Sequence, residues 1–181
     1  MKNLNKRLPP KHEILIIFGA IVFPVFSWSI YNAFYLLPSW LSHLVAGQIL
    51  ILFAYIFSVS LLESVVLLAG ILILTILLPA KYLRDKFVPQ GFLILWIGFL
   101  FAILAQFGQM SFSFWGREPR AVLAVGLSFL LLETIIPYVL VNKYERLESG
   151  LRIIADRLTV FLFVYIPISV ISVAAVIVRN L

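Results

Sequence analysis

Glu133 is the residue of this 181-residue chain whose surroundings most clearly give it chemistry. It lies near the middle of the apolar run 119–141, with no basic residue in that run beside it apart from Arg120 at its start. A carboxyl group at that depth of a hydrocarbon layer costs about 3 kcal/mol or more, so it has to face protein or water. There it could hold a proton or a cation, or anchor a buried ligand. The plainer reading is a hydrogen bond to a neighbouring helix, worth about 0.6 kcal/mol. Pro137, four residues on, removes the N–H that would bond the Glu133 carbonyl, so a free acceptor and a kink coincide with the acid.

A second polar group follows the run 89–109. Gln106 and Gln109 stand near its end, and Ser111, Ser113, Trp115, Arg117, Glu118 and Arg120 come next. Arg117 and Arg120 could clamp an anionic lipid headgroup or a phosphate through their forked donors. The same residues also suit an interfacial loop with an aromatic anchor, and Pro119 suits the first turn of a helix. Glu133, Gln106, Gln109, Arg117 and Arg120 are therefore the candidate ligand-binding set.

Other residues read more plainly. Trp28, Tyr31, Asn32 and Tyr35 share one side of the first span and could line a pocket for a flat or cationic solute, but an aromatic belt at the bilayer surface accounts for them. Ser60-Leu61-Leu62-Glu63 matches the capping box, which would place Glu63 at a helix start on the membrane surface. Gly98 with Ala102, and Ala124 with Ser128, have the small-xxx-small spacing of close helix packing. The two histidines, His12 and His43, offer no multi-histidine metal site, and no cofactor or metal is expected. With no cysteine, thiolate catalysis and disulfides are excluded.

These residues sit in a chain that is 63% hydrophobic and 12% charged, with mean hydropathy +1.10. Soluble domains carry roughly 25% charged residues, so the composition is that of an all-α, polytopic membrane protein. The net charge of +6 would suggest nucleic acid in a soluble protein. Here the basic residues flank apolar runs, where anionic headgroups are the nearer partner and nucleic acid is not expected. The division is a basic tail over 1–13 and one transmembrane domain over 14–178. The first run is too long for a secretory signal and ends in aromatics, so it is expected to remain as a span.

Breaks near Pro38, Ser60, 81–88, 111–118 and Ser149-Gly150 predict six helical segments: 14–37, 40–59, 61–80, 89–109, 119–141 and 154–178. The stretch 14–79 holds 66 residues without Lys or Arg, which suits three ordinary spans better than two. Charge disagrees. Six crossings divide the 14 basic residues seven to seven, whereas a single crossing over 40–80 divides them eleven to three, as the positive-inside rule requires. Six is the expected count, because a 40-residue helix would measure ~60 Å and leave apolar side chains in water. Both counts put Lys81 and Lys143 on one face, which is cytoplasmic.

The gap 142–157 is predicted to be an amphipathic cytoplasmic connector. Leu147, Leu151, Ile154 and Leu158 form its apolar stripe, and Glu148–Arg152 and Arg152–Asp156 are spaced as ion pairs within the helix. In size and span number the chain is similar to the substrate-binding components of energy-coupling-factor transporters, without a shared motif. The expected function is that of a small non-enzymatic membrane protein, a solute-binding or transport subunit with its site near Glu133. The alternatives are an accessory subunit joined to other membrane subunits, or an intramembrane enzyme acting on a lipid-linked substrate. A multi-pass location in the plasma membrane of a prokaryote is expected.

Overall fold

The computed structural model describes residues 8–79, 82–107 and 119–181, with backbone alone for 104, 105, 107, 119–127, 129 and 130. Among these residues every regular element is helical: α1 Lys11–His43, α2 Ala46–Leu77, α3 Phe87–Phe107, α4 Pro119–Lys143, α5 Glu145–Leu158, a 3-10 turn Thr159–Phe161, and α6 Leu162–Asn180. Three stretches, α1, α2 and α5 with α6, are long and apolar enough to cross a bilayer, and Phe87–Ile103 is a shorter apolar helix.

The six-segment division is corrected at its weakest point. The stretch 14–79 folds as two long helices, α1 of 33 residues and α2 of 32, each about 50 Å at ~1.5 Å per residue. Neither expected break occurs. Pro38 lies inside α1, which ends instead at Leu44, where the chain turns extended. Proline is tolerated within spanning helices because neighbouring groups satisfy the freed carbonyl. Ser60 does not cap a helix. Its hydroxyl lies 2.8 Å from the Ile56 carbonyl oxygen, one turn back in the same helix, and 2.8 Å from the Ser29 hydroxyl of α1. A serine bonded back in this way continues a helix rather than starting one.

Small hydroxyl residues are buried along α2, and Ser60 among them meets Ser29 of α1. Ser60, Ser64 and Thr75 are buried on α2, and the last two donate to the carbonyls of Ser60 and Ile71, both at 2.8 Å. With their hydroxyls satisfied within the helix, they pack as small groups between helices that gain nothing from the hydrophobic effect in lipid. The main core lies at the end where α1 begins and α2 finishes. Ile16, Ile17 and Ala20 of α1 meet Ile71, Phe87, Val88, Val141, Leu151 and Ala155 there.

α5 closes this end. It packs on α1, α3 and α4, burying Leu151 and Ala155, with Leu147 and Leu158 against the core. Ile154, assigned to the stripe from sequence, is exposed, and Ala155 takes its place. The expected break at Ser149-Gly150 is also absent, because the helix runs through both; the chain departs from α-helix at Tyr144 and at the 3-10 turn. The intrahelical ion pairs give way to tertiary ones. Glu148 pairs with Lys86 at 2.7 Å and Arg152 with Glu13 at 2.9 Å. Lys86 also donates to the Val141 carbonyl at 3.4 Å, placing a cation at the last turn of α4 where the helix dipole favours it. These contacts put the start of α1, the α2–α3 corner and the end of α4 on one face.

From α5 the chain turns through Thr159–Phe161 into α6, which runs away from that face along α2 and α1. Its far end is tied to α2, where Asn180 donates to the Tyr55 hydroxyl at 2.8 Å. The break expected near 81–88 corresponds to the turn over 82–86 that precedes α3, and the one expected near 111–118 lies outside the described residues, as do 80 and 81.

Candidate functional site

Near Ile71 and Gly91 the helices α1, α2 and α3 converge, since a side chain added at Gly91 would stand 3.2 Å from Ile17 and 4.0 Å from Ile71. Beyond this level α3 stays on α1, but α2 and α3 do not pack along their length. The space between them is a cleft of about 800 Å³, floored by α1.

Each helix gives the cleft one face. Phe23, Pro24, Ser27, Trp28 and Tyr31 come from α1, Glu63, Val66 and Leu67 from α2, and Phe99, Ala102, Ile103 and Gln106 from α3. The three- and four-residue spacings are those of neighbours on a helix surface. The walls are held by ring contacts. Trp28 stacks on Tyr31 at 5.8 Å between centroids, and Phe23 meets Phe161 at 4.7 Å and Trp96 at 6.5 Å. Beneath the cleft, Phe26 packs between Tyr165 at 4.5 Å and Phe57 at 6.0 Å.

Glu63 is the residue that sequence reasoning misplaced. The uninterrupted α2 puts it 17 residues after Ala46 and 14 before Leu77, near the middle of the helix rather than at a membrane surface. Its side chain is exposed in the cleft, and among the described residues no Lys or Arg forms an ion pair with it. Ser60 and Ser64, on either side of it in sequence, are buried, and the Ser60 hydroxyl meets Ser29 of α1. From Glu63 the cleft extends past Tyr31 to Gln106, one residue short of the end of α3.

Glu133 occupies a different place. Its carboxyl fits against α3 where Gly98 has no side chain, with Oε1 2.6 Å from the position a Cβ would take. Among the described residues it has no hydrogen-bond partner. Gln106 does not join it, because Gln106 lines the cleft while Glu133 sits in the α3–α4 contact. The Gly98 half of the small-residue spacing thus serves to admit a carboxyl. Pro137 is buried and lies within α4 without ending it. Gln109 and Arg117 lie outside the described residues, and Arg120 is placed by its backbone alone, in the first turn of α4.

Of the candidate set, then, Gln106 belongs to the cleft and Glu133 to a helix contact. Trp28 and Tyr31, assigned from sequence to an aromatic belt, stand with Gln106 and Glu63 around one cavity. Among the described residues no group of three or more His, Asp or Glu side chains has the arrangement of a metal site. No protein-family model matches the chain, and no curated protein or solved structure is significantly similar to it.

Proposed function

We propose that this chain is a non-enzymatic, multi-pass membrane protein that binds a small solute within the bilayer, as the binding part of a transport system, in the cleft between α2 and α3. The observation that carries the reading is the Glu63 carboxyl, near the middle of a long apolar helix, exposed in a cavity and without an ion-pair partner among the described residues. A carboxyl at such depth is tolerated where it meets water or a bound group. The volume falls within the roughly 300–1,000 Å³ of small-molecule sites. An accessory subunit whose polar residues only join helices would direct Glu63 to a polar neighbour. An enzyme would need a partner for the acid, and among the described residues no His, Lys or second carboxyl lines the cleft.

The topology proposed with it has five crossings, α1 to α4 and α6, with α5 on the surface. It gathers Lys2, Lys6, Arg7, Lys11, Lys81, Arg84, Lys86, Lys143, Arg146, Arg152 and Arg157 on one face and leaves Arg117, Arg120 and Arg179 on the other. The eleven-to-three bias makes the α5 face cytoplasmic, in the plasma membrane of a prokaryote, and opens the cleft towards the outside. Reporter tags on intact cells should find the N-terminus inside and the C-terminus outside. Both ends inside would overturn five crossings.

The absence of cysteine makes the cleft directly testable, since any introduced thiol is the only one. In proteoliposomes a small hydrophilic methanethiosulfonate should modify Val66→Cys and Ala102→Cys and spare Leu131→Cys, which is exposed on the outer side of α4. If all three are equally unreactive, lipid fills the cleft and the solute-binding reading fails.

A further inference from the structure

Resting on that reading, we infer that the ligand is an organic monocation with an apolar, ring-bearing body, such as a quaternary or protonated amine, whose charge lies at Glu63 and whose body lies against Phe23, Trp28, Tyr31 and Phe99.

The charge of the cleft sets the sign. Among the described residues its lining has one carboxyl and no Lys, Arg or His, so an anion would enter a low-dielectric space already carrying the same charge. A cation supplies the countercharge that Glu63 does not find among the described residues. The lining also sets the kind of cation. An inorganic ion needs about six oxygens to replace its hydration shell, whereas among the described residues the side-chain oxygens of the lining are those of Ser27, Tyr31, Glu63 and Gln106, spread over three helices. Aromatic faces do for an organic cation what water does for a metal ion. Each presents a negative π-face to a positive charge and an apolar surface to the carbon around it.

The rings are also prepared for this use. Trp28 and Tyr31 brace each other, and Phe23 is backed by Trp96 and Phe161, so little side-chain freedom is left to lose on binding. Gln106, towards the open end, offers a donor and an acceptor to a polar substituent. The cavity of about 800 Å³ holds a molecule of several rings, well above the size of an amino acid.

The test uses two ions of the same shape and opposite charge, tetraphenylphosphonium and tetraphenylborate, with the full chain purified in detergent and binding read by equilibrium dialysis. The wild type should bind the phosphonium and reject the borate. Glu63→Gln, which keeps shape and hydrogen bonding but cannot ionise, should weaken phosphonium binding at least about tenfold, and Glu63→Asp should restore most of it. Equal binding of both ions, or unchanged phosphonium binding by Glu63→Gln with an unaltered size-exclusion profile, overturns the cationic assignment. Failure here is distinguishable from failure of the site itself. If neither ion binds while Val66→Cys and Ala102→Cys still react, the cleft stands and its assigned ligand class is wrong. If neither ion binds and the thiols are unreactive, both readings fall.

Discussion

Gly19→Ala is expected to destabilise the protein by about 2 kcal/mol, because it overpacks a contact that cannot give way. A methyl group at Gly19 would stand 2.9 Å from the Thr159 Cα and 3.3 Å from the Leu158 carbonyl carbon. Both are backbone atoms of the corner joining α5 to α6, so no side-chain rotation relieves the clash. α1 or the corner has to move, and α5 is tied to α1 by Arg152 and Glu13. Titration with dodecyl sulfate, followed by circular dichroism, should show a lowered unfolding midpoint. Gly47→Ala and Gly70→Ala are the controls, since a methyl group at either position meets nothing within 4 Å. They should be neutral or gain a few tenths of a kcal/mol from helix propensity. A Gly19→Ala midpoint equal to theirs would show that the corner does not press on α1.

Phe26→Ala should be at least as damaging, by about 3 kcal/mol. Phe26 is fully buried and joins Val22 and Leu162 in the cluster that holds α6, with Phe57, Leu61 and Tyr165 around it. In lipid its contribution is contact rather than escape from water, so the loss follows the void left by the ring. Phe26→Leu, which fills part of that void, should lose markedly less in the same titration. Equal losses from the two variants would mean that the ring contacts to Tyr165 and Phe57 carry the whole effect and the void carries none.

The helical, membrane-spanning character was legible in the sequence because lipid imposes it on any long apolar run. The division of 14–79 was not, and the reason lies in Ser60. In water, serine before an x-x-Glu pattern caps a helix by satisfying free N–H groups. Within an apolar run the same hydroxyl finds a carbonyl one turn back and the Ser29 hydroxyl on the next helix, and no helix end is needed. The eleven-to-three charge count goes with a single helix over 40–80, and α2 runs unbroken from Ala46 to Leu77. Weighed above the length argument, that count puts Glu63 inside one long helix rather than at its start. The cleft itself was not legible, because nearly every face of α1, α2 and α3 is apolar and periodicity cannot say which faces diverge. The pairing of Glu133 with Gly98 was hidden for a related reason. A glycine four residues from an alanine announces close packing, but not that the partner is a carboxyl.

The position of α6 has a consequence for how the chain is made. It lies on α2 and α1, which precede it in the chain, with α3, α4 and α5 synthesised in between. The surface around Val22, Phe26 and Phe57 therefore stays bare while α3 finds its own place on α1, and is covered only when Leu162–Asn180 arrives. A nascent chain halted before Leu162 shows that surface to the insertion machinery and to membrane proteases, and a chain translated through Asn180 does not. Leu162–Asn180 thus serves as the late cover of a surface that earlier helices leave open.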